Sequence, residues 1–72
     1  MSYPLNTLEK ALGKTITVRL KSNHYYTGRL KVVDQYMNLI LENCSEMEDD
    51  KLKKRYGKAL LRGNNILYIK LD

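Results

Sequence analysis

The chain has 72 residues, a single cysteine and a formal net charge of +5 at pH 7. A chain of this length forms one domain with a thin core, because it buries only about 60% of its unfolded surface. One cysteine excludes an internal disulfide and fits a reducing compartment, and no apolar stretch approaches the length of a membrane span. We therefore expect a soluble cytoplasmic protein, or a nuclear and cytoplasmic one in a eukaryote, whose basic charge either attracts a polyanion or only maintains solubility.

The first predicted element is a helix over residues 4–12. Ser2 can cap it, Pro4 lies in its first turn, and Gly13 can adopt the left-handed conformation that ends a helix. Apolar side chains recur at helical spacing, at Leu5, Leu8 and Leu12. This segment is the only convincing helix of the sequence.

Apolar residues alternate with period two after Gly13, which predicts five strands. The first strand carries Ile16, Val18 and Leu20 on one face, and residues 22–24 form the turn after it. The apolar face of the second strand continues through Tyr26, Gly28, Leu30 and Val32, and that of the third through Met37, Leu39 and Leu41. Gly28 indicates a bulge or sharp bend. Residues 56–61 and 66–71 give the last two strands, with a tight turn at Gly63-Asn64-Asn65.

These elements predict a mainly β fold, in which an N-terminal helix precedes a strongly bent five-stranded antiparallel sheet or open barrel in meander order. The last two strands are apolar beyond simple alternation, and no proline follows Pro4. Because a long apolar edge invites pairing with another chain, we expect copies to associate edge to edge in a ring. A monomer whose sheet closes on itself is the alternative.

An acidic run becomes a basic run between the third and fourth strands. Residues 43–53 either end the third strand or extend it as a hairpin, and a hairpin would pair acidic residues 46–50 with basic residues 51–58. We interpret this segment as mainly structural. Cys44, at the end of an apolar run, is expected to be a small buried hydrophobe.

Catalytic and metal-binding patterns are not supported by this sequence. His24 is the sole histidine, and the sequence gives it no nucleophile partner. One histidine and one cysteine are too few for a metal site, and residues 46–50 lack the oxygen spacing and glycine of a calcium loop. We expect a non-enzyme without a metal or another cofactor.

Two polar clusters interrupt the strands and carry the candidate site. Asp34-Gln35-Tyr36-Met37-Asn38 and Arg62-Gly63-Asn64-Asn65 offer an aromatic ring, a guanidinium, side-chain amides and a glycine turn. These groups can hold an unpaired nucleobase by its face and its edge. They converge only if the sheet folds back on itself.

Gly28 and these two clusters, with the apolar spacing around them, resemble the two-part signature of the Sm/Lsm (Sm-like) proteins. The first part corresponds to about residues 13–42 and the second to about residues 56–71, separated by a variable loop over about residues 43–55. The resemblance implies that residues 1–72 form a single Sm-like domain, a bent barrel of the SH3 type capped by the helix. It also implies rings of seven or six subunits, joined through the fourth and fifth strands, which bind uridine-rich single-stranded RNA near the central pore in RNA processing or ribonucleoprotein assembly.

The resemblance implies RNA-binding roles for Tyr36, Asn38, Arg62, Gly63 and Asn64, with Asp34 in support. Tyr36 would stack on the base, Asn38 would read its edge and Arg62 would cover the opposite face. Asp34 is better suited to orient neighbouring donors, since a carboxylate repels phosphate. The residues alone allow simpler interpretations: a surface tyrosine, asparagines that form turns, and an Arg62–Asp34 ion pair.

Within the family, the short chain resembles archaeal-type homo-oligomeric members, although Tyr36 stands where many of them have histidine. Residues 54–57 and 62–69 instead resemble the F-type subunits of eukaryotic mixed rings. We favour the homo-oligomer. The alternative is a structural subunit of a mixed ring whose own base pocket contributes little. An oligonucleotide-binding barrel of the OB type is disfavoured, because its helix usually lies between strands.

Overall fold

The computed structural model describes residues 5–71 and places one helix and five strands there. Their bounds are α1 Leu5–Glu9, β1 Thr15–Leu20, β2 His24–Val33, β3 Leu39–Glu48, β4 Lys51–Leu61 and β5 Ile66–Leu71. All strand pairings are antiparallel, and the sheet order is β4-β3-β2-β1-β5. The predicted mainly β fold, with a short helix before a bent five-stranded antiparallel sheet, is confirmed.

The strand order departs from the predicted meander at its last step. Strands β1 to β4 are sequential neighbours, but β5 leaves β4 and pairs with β1, with Val18 opposite Ile69. The connection is a 3-10 turn at Gly63–Asn65. Because β5 crosses to the other side of the sheet, β4 and β5 become its two edges.

The helix is shorter than predicted. It ends at Glu9, and residues 10–13 form turns in which the amide of Ala11 donates to the carbonyl of Leu8 at 2.9 Å. Leu8 is fully buried, whereas Leu12 is 44% exposed, so its assignment to the apolar helical face was wrong. Gly13 has a φ of +84° and donates its amide to the Leu30 carbonyl, which ties the chain to β2 before another helical turn can form. The predicted roles of Ser2 and Pro4 lie outside the described residues.

Gly28 lies at a bulge in the pairing of β2 with β3, one of the two features that it was predicted to mark. The register of β2 with β3 shifts between Thr27 and Arg29, where Asn43 and Cys44 oppose Gly28. A Cβ atom at Gly28 would lie 3.0 Å from the Glu42 carbonyl oxygen, and Asn43 adopts a φ of 49°. The extra residue therefore belongs to β3, and Gly28 allows the two backbones to approach closely.

Several predicted strand positions were wrong. His24 begins β2 instead of ending the turn, and β3 begins at Leu39, since Met37 lies in the preceding loop with a φ of 67°. Val32 is 44% exposed, because a second register shift between Leu30 and Val32 turns it away from the core.

The acidic-to-basic segment extends β3 and β4 as a hairpin, the second of the two predicted arrangements. Its turn lies at Asp49 and Asp50, with φ values of 52° and 62°. Lys53 contacts Glu48 at 3.0 Å across the strands, as an ion-paired hairpin requires. Glu46 is instead buried and accepts a hydrogen bond from the Tyr56 hydroxyl at 2.6 Å, so it does not pair with a lysine.

The core lies inside the bend of the sheet and under the helix. Cys44 is buried there as predicted, and its burial raises the pKa of the thiol to about 11. This thiol stays protonated at neutral pH and behaves as a small hydrophobe. The other buried apolar residues are Leu8, Ala11, Ile16, Val18, Leu30, Leu39, Leu41, Leu61 and Ile69.

Candidate nucleic-acid interface

The two polar clusters meet in space. Residues 34–38 join β2 to β3, and residues 62–65 join β4 to β5. The backbone amide of Gly63 donates a hydrogen bond to Asn38 Oδ1 at 2.9 Å, which connects the two loops directly. A Cβ atom at Gly63 would overlap the Tyr36 carbonyl oxygen and lie 3.0 Å from the Met37 carbonyl carbon. Only glycine permits this approach.

Asp34 holds the loop of residues 34–38 together by accepting hydrogen bonds from within it. Its Oδ1 accepts the backbone amides of Tyr36 at 2.8 Å and Asn38 at 3.0 Å, and its Oδ2 accepts Asn38 Nδ2 at 3.0 Å. Desolvation opposes ionisation, but the hydrogen bonds from Asn38 and Tyr36 outweigh it and lower the pKa of Asp34. The carboxylate is therefore ionised at neutral pH and engaged by the loop.

The Asn38 side chain joins the two loops by both ends of its amide. Its nitrogen donates to Asp34, and its oxygen accepts from Gly63. These partners fix the orientation of the amide, because a carboxylate needs a donor and a backbone amide needs an acceptor. One N–H and one oxygen lone pair of Asn38 remain for another partner.

Around this junction lies an open cavity of about 450 Å³, lined by Tyr36, Asn38, Arg62 and Asn64. The Tyr36 side chain is 72% exposed, which leaves a ring face free for stacking. Arg62 is also exposed and makes no ion pair with a described residue, so the Arg62–Asp34 bridge is not formed. The cavity thus combines an aromatic face, a cation and two amides.

All five residues predicted to bind RNA lie at this place: four line the cavity, and Gly63 forms the turn between Arg62 and Asn64. Sequence reasoning placed Met37 on the apolar face, and its half-buried side chain does pack against the core, but the positive φ with which Met37 turns the loop was missed. It also missed the hydrogen bond from the Lys21 amide to the Asn65 carbonyl at 3.0 Å, which ties the second loop to the end of β1. A backbone contact of this kind leaves no signal in the sequence.

The sole histidine, which was considered for catalysis and metal binding, does not line this cavity. His24 Nε2 lies 3.1 Å from Glu48 Oε2, on the hairpin side of the sheet. Within residues 5–71, no group of three or more histidine, cysteine, aspartate or glutamate side chains is placed to hold a metal ion. The only α-helix in this range is five residues long, which is too short to cross a membrane.

Comparison with known proteins identifies similar sequences over nearly the whole chain. The sequence-family model of the LSM domain matches residues 6–71 of this chain. The U6 snRNA-associated Sm-like protein LSm6 of Aspergillus fumigatus is 48% identical over 66 residues, which span 92% of this chain and 82% of that protein. The protein of the same name from Coprinopsis cinerea is 44% identical over 69 residues, or 96% of this chain and 73% of that protein.

Solved structures of Sm proteins superpose closely on the fold. The Sm protein of Pyrococcus abyssii, solved in complex with a uridine heptamer, has a TM-score of 0.90 and 35% identity, covering 96% of this chain and 97% of that chain. A heptameric archaeal Sm protein has a TM-score of 0.85 and 34% identity, covering 93% and 97%. The fungal sequences are more similar than these archaeal ones, so the comparison gives no support to the archaeal-type assignment.

Proposed function

This chain belongs to the LSM domain family, and on that premise we propose that it is a ring-forming protein that binds uridine-rich single-stranded RNA through the cavity of Tyr36, Asn38, Arg62 and Asn64. Proteins of this family are RNA-binding scaffolds, so the chain is not an enzyme. Residues 1–72 would form a single Sm-like domain that acts in RNA processing or ribonucleoprotein assembly. Similarity to U6 snRNA-associated proteins supports a ribonucleoprotein of the nucleus or cytoplasm.

The observation that carries this proposal is the fixed amide of Asn38. Its remaining N–H can donate to a uracil carbonyl, and its remaining lone pair can accept the uracil ring N–H. Cytosine has no ring N–H at the equivalent position, so the same amide discriminates between the two bases. Because Asp34 and Gly63 already orient the amide, little conformational entropy is lost when a base binds.

Stacking supplies affinity in this proposal, and the cation adds to it. The exposed ring of Tyr36 offers a platform worth about 1–3 kcal/mol per base, without sequence preference. Arg62 can cover the opposite face of the base through a cation–π contact or meet a phosphate. Arg62 is the only charged side chain among the described residues that line the cavity, and it has the sign that favours RNA.

The proposed ring rests on the edges of the sheet. Strands β4 and β5 are both edges and carry five large exposed hydrophobic side chains: Leu52, Leu60, Leu67, Tyr68 and Leu71. Unpaired backbone groups beside exposed apolar side chains favour strand-to-strand association. The similar archaeal Sm protein is heptameric, which supports a ring of seven. A ring of seven or six identical copies stays a prediction.

A second candidate is a structural subunit of a mixed ring whose own cavity contributes little. The observation that favours it is that both ends of the Asn38 amide already bond to Asp34 and Gly63. The cavity residues would then only hold the two loops together.

Titration of the purified chain with fluorescent oligouridine and oligocytidine distinguishes the two functions. We expect Tyr36→Ala to weaken oligouridine binding at least tenfold, because one stacking interaction is lost at every subunit. The matched control is Tyr36→Phe, which keeps the ring face and should bind like the parent. Equal binding by all three proteins would favour the structural subunit.

A further inference from the structure

The two edges of the sheet differ in composition but share the sign of their charge. Strand β4 carries five basic residues and no acidic one: Lys51, Lys53, Lys54, Arg55 and Lys58. Strand β5 carries a single charged residue, Lys70. Its neighbour β1 contributes Arg19 and no acidic residue. Edge pairing between two copies of this chain would therefore bring a strongly basic strand against a weakly basic one.

The acidic residues of β3 do not neutralise β4, because they are already engaged. Glu42 pairs with Arg29 at 3.0 Å, and Glu48 pairs with Lys53 at 3.0 Å. Glu46 is buried and accepts the hydroxyl of Tyr56. Because these three carboxylates have other partners, most of the cations on β4 make no ion pair within the part of the chain that the structure describes.

The remaining cations of β4 face solvent at the edge. Lys51, Arg55 and Lys58 are exposed and make no ion pair with a described residue. Lys54 lies opposite Glu46 in the strand register, but its ammonium is placed over the ring of Tyr56, 5.3 Å from the centroid. Lys58 lies opposite Glu42 and contributes, after Arg29, to lowering the pKa of that carboxyl, so its charge is partly compensated within the chain. Lys51, Lys54 and Arg55 remain to meet charges on another molecule.

We propose that β4 selects a neighbouring subunit of the same fold whose fifth strand carries carboxylates, and that pairing with a second copy of this chain is disfavoured by charge. This inference rests on the proposed ring and names the chemistry of the neighbour. Like charges set opposite each other across strands are destabilising, whereas opposite charges stabilise the pair. Complementary potentials mainly determine which partner is chosen, while the apolar side chains supply the affinity.

RNA is the other polyanion that a basic edge could meet, and the structure favours the protein. The same edge exposes Leu52 and Leu60, at 49% and 67%, and a free strand of backbone donors and acceptors. A partner strand covers both, whereas a phosphate backbone would leave the apolar side chains in water.

The test measures self-association of the full chain and of charge variants at position 70 by sedimentation velocity over a concentration series. At about 50 mM salt, where charges act over more than 10 Å, Lys70→Glu should tighten self-association by about two- to fivefold per interface. Lys70→Gln should lie between parent and Lys70→Glu. Raising the salt should strengthen association of the parent and weaken that of Lys70→Glu.

A matched control and a reciprocal variant make this test specific. Lys31→Glu makes the same change of net charge on β2, two strands away from either edge in the sheet order, and should associate like the parent. The double variant Lys54→Gln, Arg55→Gln removes repulsion from the β4 side and should tighten self-association without changing the ratio of oligouridine to oligocytidine affinity.

The proposal is overturned if Lys70→Glu associates no more tightly than the parent, or if Lys31→Glu has the same effect as Lys70→Glu. It is also overturned if the double variant loses oligouridine binding with unchanged association, which would assign the basic edge to RNA. Leu67→Asn, which removes an apolar side chain from β5 without adding charge, separates this failure from failure of the ring itself. If Leu67→Asn leaves any observed association intact, edge pairing is wrong, whereas loss of association with no charge effect refutes only the selection by charge.

Discussion

Replacing Gly63 with alanine should separate the two loops that form the cavity. A methyl group at this position would overlap the Tyr36 carbonyl oxygen and lie 3.1 Å from Met37 Cβ. These neighbours are mostly backbone, so the loops must move apart, and the 2.9 Å hydrogen bond from Gly63 to Asn38 is then lengthened or lost.

The expected loss in the free energy of unfolding follows from the steric overlap and the lost hydrogen bond. Overpacking costs about 1–3 kcal/mol, and a lost hydrogen bond costs about 0.5–1.5 kcal/mol more. A destabilisation of about 2 kcal/mol corresponds to a decrease in Tm of about 8–16 °C for a domain of this size. Affinity for oligouridine should fall in the same variant, because Asn38 and Arg62 no longer face one cavity.

Thermal unfolding followed by circular dichroism, at one fixed protein concentration, measures the loss of stability. The matched control is Gly57→Ala on β4, where a Cβ atom would meet no other atom of the same chain within 4 Å. This substitution should be neutral or stabilise the fold by up to about 1 kcal/mol, since it lowers the entropy of the unfolded chain. An unchanged Tm and unchanged oligouridine affinity for Gly63→Ala would refute the reasoning.

Three further substitutions test the remaining parts of the site. Arg62→Ala should weaken oligouridine binding, and if the guanidinium meets a phosphate the slope of log affinity against log salt should fall by about 0.7, measured by titration at several salt concentrations. Asp34→Asn should destabilise the fold at pH 7. The pKa of Asp34 is lowered from 3.8 on folding, so its contribution is present above that value and is lost as the pH falls through the lower folded-state pKa. Parent and variant should therefore converge in acid unfolding curves, and a constant difference would contradict this. Asn38→Ala should narrow the ratio of oligouridine to oligocytidine affinity and also destabilise the fold by about 1 kcal/mol, because the Gly63 amide loses its acceptor. Oligonucleotide binding and thermal unfolding are measured on the same sample. Either effect without the other would contradict this expectation.

Period-two alternation was sufficient to predict the five strands, because each strand has one face on the core. It failed where a bulge changes the face: Val32 and Met37 both belong to the apolar pattern, yet one is exposed and the other lies in a loop. The register shifts and positive φ values that cause this depend on contacts between β2 and β3, which a single sequence does not reveal. The crossing of β5 to β1 was missed for the same reason.

The candidate site was predictable to a greater degree, since its residue types are chemically distinctive and stand in two short segments. Asp34 was expected to orient neighbouring donors, but the sequence could not show which donors these are. The structure identifies them as the Tyr36 and Asn38 amides, and it joins Asp34 and Asn38 in one hydrogen-bonded unit with Gly63.

That unit gives the carboxylate beside the proposed RNA site a structural role. Both oxygens of Asp34 accept hydrogen bonds from within the loop, which stabilise the ionised carboxylate and hold Tyr36 and Asn38 in position. Arg62 has no such internal partner among the described residues, and its positive charge remains directed at the cavity. Asp34 thus fixes the geometry of the loop. The Arg62 guanidinium, the exposed ring of Tyr36 and the remaining N–H and lone pair of Asn38 are the groups that can contact the ligand.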